Sequence, residues 1–239
     1  MRRILSILVV ALLAGTCFSA LAEEKYTCQA SVFMWDAYAK RPVIVSPDHS
    51  KRVQLWSSPK DPELEEEADF YASIYIGSRL LKTIQLEDLS AATFVKWSPD
   101  SNGVYLMWSD GGAIGGYHVR AFVVEPDDAA ESPAPKTVAA DFAKHHYCKT
   151  RGNNLYAVRW VNGSKQLRLR PEVYPTSDCG PETALSAEYL VRTVDGKIVE
   201  RGEVKEMPAF SNGCPSDVFP GAFATQDQIE QYRKPQTHD

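Results

Sequence analysis

The stretch 94–112, FVKWSPDSNGVYLMWSDGG, decides how this chain folds. Its opening residues form a short β-rich run, residues 99–103 carry turn chemistry, and residues 104–108 resume an extended pattern. Pro99 presets φ for a turn, Asp100 bonds to backbone two residues on, and Gly103 tolerates φ > 0, so each has structural work without any ligand. The reading is a hairpin. In its second arm Val104, Leu106 and Trp108 point one way and Tyr105 and Met107 the other, and both faces are apolar. Such a strand belongs between two stacked sheets rather than at a surface with one wet face.

The same punctuation recurs upstream. Ser46-Pro47-Asp48 precedes Ser98-Pro99-Asp100 by 52 residues, and Trp56 precedes Trp108 by the same 52. Two matches at one offset predict a duplicated unit. A third copy begins at Leu155 with LYAVRWVNGSKQLRLRP, where Trp160 stands in place of Trp97 and Asn162-Gly163 replaces Pro-Asp. Its offset of 63 requires an insertion. Periods of about 40 to 50 residues point to propeller blades or similar repeated sheets.

Further strands complete each unit. Runs at 69–77, 117–125 and 187–196 supply third strands, and SRLLKTI and KIVERGEV supply fourth ones, the latter after the hairpin signal Asp195-Gly196. The longest loop of each unit falls between its second and third strands. Segments 57–69 and 125–136 are acidic and proline-containing, lack apolar periodicity, and read as surface connections. The expected fold class is all-β: about three four-stranded antiparallel repeats, as a partial β-propeller or a β-sandwich, with one short C-terminal helix opened by the capping pair Thr225 and Gln228.

The turn Trp97-Ser98-Pro99-Asp100 resembles the repeated unit of TolB-type β-propellers, whose blades carry a Trp/Phe-Ser-Pro-Asp-Gly turn. The resemblance is partial at Ser46-Pro47-Asp48, faint at Trp160-Val161-Asn162-Gly163, and spans Val43 to Val204. It implies a noncatalytic scaffold or binding surface in the periplasm and transfers no catalytic residue. Three units are too few for a ring, since propellers start at about four blades. Either a second chain joins the units, or they pack as a sandwich or partial propeller whose edges the tail and disulfides cover.

Composition sets the cellular context. The chain has 239 residues, 44% hydrophobic and 24% charged, which fits one globular domain with a tail. Residues 1–22 read as a signal peptide: Arg2 and Arg3, an apolar run, and the small-x-small pattern Ala20-Leu21-Ala22. An uncleaved anchor or a lipid-modified Cys17 are the alternatives to cleavage after Ala22. Residues 23–206 then form the β-repeat domain and 207–239 an irregular tail with the short helix. Loss of two arginines takes the formal charge from −5 to −7, which excludes a basic stripe for nucleic acid, and no further segment is apolar enough to span a membrane. Four cysteines remain: Cys28, Cys148, Cys179 and Cys214. An even count in an exported chain predicts two disulfides, with Cys179–Cys214 and Cys28–Cys148 preferred among three pairings.

Candidate chemistry is sparse. The glycine-rich 109–118 lacks phosphate-loop spacing and precedes a strand, so it reads as a hairpin loop. In residues 144–148, KHHYC, His146 and Cys148 can share a side of an extended chain while His145 cannot, and a disulfide would remove the thiolate. No Gly-x-Ser-x-Gly is present to mark a hydrolase nucleophile. His49 and His118 have no partner assignable from sequence, and Asp48 and Asp100 have turn work of their own. Trp35, Trp56, Trp97, Trp108 and Trp160 are expected in the core, the alternative being a groove for carbohydrate or peptide. The expectation is therefore no catalytic residue, no cofactor and no metal. It is an exported periplasmic or secreted binding protein that recognises an envelope protein, peptide or glycan through loops. An envelope hydrolase with a loop-assembled site, or a structural subunit of a larger propeller, are the alternatives.

Overall fold

The computed structural model describes residues 31–58, 68–89, 92–109, 116–145, 154–173 and 184–207. The leader, the four cysteines, His146 and the expected C-terminal helix lie outside those residues. The described chain is mostly β, in three antiparallel sheets with one helix and no closed barrel.

The first sheet runs in the order β2 (Val43–Val45), β3 (Lys51–Ser57), β4 (Phe70–Ile76) and β5 (Arg79–Gln85). The second runs β1 (Ser31–Met34), β6 (Ala92–Trp97), β7 (Gly103–Ser109), β8 (Tyr117–Val124), β9 (Ala129–Glu131). The third has β11 (Gln166–Val173) at its centre. It pairs with β10 (Asn154–Val161), with β12 (Ala184–Ser186) and with β13 (Tyr189–Arg192), while β14 (Ile198–Arg201) and β15 (Lys205–Met207) extend it. The first sheet, and β6 to β9 of the second, pair in chain order as the repeats predict; in the third, β10, β11, β13 and β14 form the matching set while β12 departs from chain order to pair β11 and β15.

The sheets stack, and the middle one is buried on both faces. All seven residues of β7 are buried. Val104, Leu106 and Trp108 pack with Val53, Leu55, Ala72 and Ile74 of the first sheet. Tyr105 and Met107 pack with Leu167, Leu169 and Tyr189 of the third. The two apolar faces read from VYLMW therefore serve two separate cores.

The duplicated turns are alike atom for atom. Ser46 Oγ donates to Asp48 Oδ1 at 2.6 Å and Ser98 Oγ donates to Asp100 Oδ1 at 2.6 Å. The backbone N–H of Lys51 and of Gly103 donates to the first serine's Oγ at 3.0 and 2.8 Å, and that of Ser50 and Asn102 to the aspartate at 3.0 and 3.2 Å. One expectation is corrected: the positive φ of the turn belongs to His49 and Ser101, both at 60°, and not to Gly103. Gly103 is needed for space, because a Cβ there would lie 2.9 Å from the Trp160 ring.

Successive units are locked by a repeated hydrogen bond. Trp97 Nε1 donates to the Ile44 carbonyl at 3.2 Å, and Trp160 Nε1 donates to the Lys96 carbonyl at 3.2 Å. Ile44 and Lys96 are themselves 52 residues apart, so the same tie joins unit two to unit one and unit three to unit two. The turns touch as well, with both outer units donating to the middle one: the Asp48 N–H donates to Ser101 Oγ, and the N–H and hydroxyl of Ser164 donate to Asp100 Oδ2.

The segment 125–136, expected as a surface connection, instead holds β9 and the first residues of helix α1 (Ala134–His145). Ala134, Val138 and Phe142 recur every four residues and are fully buried between the second and third sheets. Pro135 suits a first helical turn, and Ser132 Oγ accepts the Ala134 N–H. Proline and acid at its start mask the apolar stripe, which becomes visible only when 134–145 is taken as one window.

Candidate interaction surface

In the stack, each sheet turns one face forward to its successor and one back to its predecessor. Residues at Val53 and Leu55 face forward in the first sheet, as Tyr105 and Met107 do in the second. The backward face of the second sheet, carrying Trp108, is covered by the first. Among the described residues, no sheet lies on the backward face of the first sheet.

That face is readable from register. Ile44, Val53 and Ile74 point to the core, so their neighbours Val43, Val45, Arg52, Gln54, Tyr71 and Tyr75 point outward. Trp56 pairs with Tyr71, as Trp108 pairs with His118, so the two tryptophans hold equivalent strand positions. Their surroundings differ because of stacking alone. Trp108 is buried with its Nε1 on the Glu87 carbonyl, whereas Trp56 is half-buried and donates to Ser73 Oγ. On this face Val43, Val45 and Leu80 are 46%, 48% and 51% exposed. Three of the six large hydrophobics exposed among the described residues therefore lie on this face, the valines on its β2 edge and Leu80 on its β5 edge.

The aromatic rings on this face are already occupied. Trp56 and Tyr71 stack at 4.3 Å between centroids and 16° between planes. The Arg52 guanidinium lies 4.4 Å over the Tyr75 ring and also donates to the Gly77 carbonyl. At the far end Asp69 accepts from Tyr71 OH and Gln85 Nε2 at 3.2 Å each. This face thus carries aromatic rings and branched aliphatic groups around a polar row of Gln54, Ser73 and Thr83, with Arg52 towards one end and Asp69 at the other.

The opposite end of the stack is different. At the 63-residue offset, Arg168 and Arg170 replace Tyr105 and Met107. Arg168 pairs with Glu188 and Glu200 at 3.1 and 3.4 Å. Arg170 is only 7% exposed, and Leu190, on the same side, 9%. The forward face of the third sheet is covered at Arg170 and Leu190, while the Glu188 and Glu200 side chains beside Arg168 are 36% and 57% exposed.

The other candidates have structural roles. Asp48 and Asp100 bond their turns, and those bonds hold both carboxyls below the usual range. For Asp48 the Ser46 hydroxyl is the largest cause; for Asp100 partial burial pushes up but hydrogen bonds from Ser98, Ser164 and Asn102 outweigh it. His49 is an exposed turn residue, and His118 is exposed and stacked on Trp108 at 5.4 Å. Trp97, Trp108 and Trp160 are core, as expected; of Trp35 only the backbone, in a short 3-10 helix, is described.

Among the described residues, His145 is the one histidine whose ring lies within ion-pair distance of an acid. Its Nδ1 bonds the Asp141 carbonyl at 2.7 Å and lies 3.8 Å from Asp141 Oδ2. That carboxylate is taken up by Tyr189 OH and Arg201 Nη2, both at 3.0 Å. Asp141 also raises the Tyr189 hydroxyl to about 12, after burial, the larger cause. This group clamps α1 to β13 and β14. Among the described residues no three His, Cys, Asp or Glu are grouped to hold a metal ion.

Sequence reasoning missed the outward face and the Asp141 clamp. A signal for the first exists in the repeat: position 45 carries Val where Trp97 and Trp160 stand, so unit one lacks the residue that ties a unit to its predecessor. No protein-family model matches this chain, and no curated protein matches it.

Proposed function

We propose that this chain is an exported, non-catalytic binding protein, periplasmic or secreted, that engages a protein partner through the outward face of its first sheet. The observation that carries this reading is a sheet face left open at the end of a stack, with Val43, Val45 and Leu80 about half exposed beside Trp56, Tyr71 and Tyr75. Recognition moves from the loops to this face because the Ser-Pro-Asp turns spend their polar groups on themselves and on each other. A glycan is disfavoured, since sugar stacking needs a free ring face and these rings cover one another or lie under Arg52. The structural-subunit alternative requires another repeat unit on this face, and Val45 cannot supply the tryptophan tie. The hydrolase alternative finds its acid–histidine contact at Asp141 and His145, where the carboxylate is consumed by Tyr189 and Arg201.

The test is site-specific photo-crosslinking in the producing cell, with a photoreactive residue at Val45 or Leu80 and, for comparison, at the equally exposed Val199 of β14. A discrete protein adduct from the first two positions and none from Val199 supports the reading. Absence of adducts at Val45 and Leu80, or the same pattern at all three, refutes it.

A further inference from the structure

Resting on the reading of that face as a protein-binding surface, we infer that its occupant is a second copy of this chain, docked face to face about a two-fold axis. With the other end of the stack covered at Arg170 and Leu190, the outward face of the first sheet is, among the described residues, the sheet face that exposes large hydrophobic side chains in a row with aromatic ones. Head-to-tail addition would need two open faces, so a repeated contact between copies must be isologous and stop at a dimer.

The charges on the face choose the axis. Arg52 lies at one end of β3, paired with Tyr75, while Asp69 lies at the other end, beside Tyr71 and Gln85. An axis in the contact plane and perpendicular to the strands brings Arg52 of each copy over the Trp56 and Asp69 end of the other. An axis along the strands would set the two arginines together. The first arrangement pairs opposite charges twice.

Size sets the strength. Seven residues at about 3.4 Å and four strands at about 4.8 Å give a face of about 450 Å² per copy, or about 900 Å² in total. That is below the roughly 1,200 Å² at which stable complexes begin, so the dimer is weak and concentration-dependent.

Sedimentation velocity of the mature chain over a wide concentration range tests this directly. The wild type is expected to pass reversibly from monomer to dimer. Arg52→Asp sets Asp against Asp69, and Asp69→Arg sets Arg against Arg52, so each variant alone is expected to associate about tenfold more weakly or worse. Mixing the two variants places opposite charges at both contacts and restores a heterodimer. That rescue cannot arise from misfolding, since it requires both variants to be folded. A wild type that stays monomeric at about millimolar concentration, or a mixture no better than either variant, overturns the inference. If that happens while Val45 still crosslinks to a foreign protein, the binding reading survives and the self-association does not.

Discussion

Asp100→Ala is the most informative single perturbation, because Asp100 joins two units through one carboxylate. Its oxygens accept the Ser98 hydroxyl at 2.6 Å, the Asn102 N–H at 3.2 Å, and the Ser164 N–H and hydroxyl at 2.9 and 3.0 Å. Hydroxyls can turn to water, but the two backbone N–H groups lose cap-like bonds worth about 1 kcal/mol each. The loss is then about 2 kcal/mol, and partial exposure keeps it from reaching the several kcal/mol of a buried charged bond. For a domain of this size that lowers Tm by about 4–8 °C. Asp48→Ala is the internal comparison: its acceptor bonds all come from its own turn, Ser46, Ser50 and Lys51, so a smaller drop is expected. Calorimetry or urea titration reads both. Because the Asp100 carboxyl is held below its ordinary range when folded, its stabilisation is present above about pH 4 and is lost as pH falls through the depressed native range. The gap between wild type and Asp100→Asn should therefore narrow from pH 7 to pH 3. An Asp100→Ala variant as stable as wild type, or a gap independent of pH, would show that the turns do not tie the units together.

Two further outcomes follow from packing. Gly163→Ala should destabilise well beyond an ordinary surface change, since φ is +66° and the new Cβ would lie 2.3 Å from Asp100 Oδ2; combining it with Asp100→Ala should relieve the clash, leaving only the φ strain, and the double variant measured by denaturant unfolding checks this. Phe142→Ala removes a fully buried ring that seats α1 between two sheets and should cost about 3–5 kcal/mol, with near-ultraviolet circular dichroism reporting the loosened second core. A cost under about 1 kcal/mol would mean that α1 is peripheral to that core.

Much of the architecture is legible in local residues. The Ser-Pro-Asp turns, the alternation of VYLMW and the offset of Trp56 from Trp108 are short-range features, so the hairpins and their duplication can be read directly. Helix α1 is hidden in the sequence because its first turn has the composition of a loop, and Gly103 looks like a φ residue although its constraint is the approach of Trp160. The open face could be read only in part: Val45 in place of tryptophan marks unit one as different, but not what lies beside it.

The sequence alone determined an all-β chain of about three repeated units, because turn residues and apolar alternation act over a few neighbours along the backbone. Tertiary stacking alone decided which of two equivalent tryptophans is core. Among the described residues Trp108 has a sheet behind it and Trp56 does not, and burial depends on what packs across a face rather than on the residue's place in its own strand.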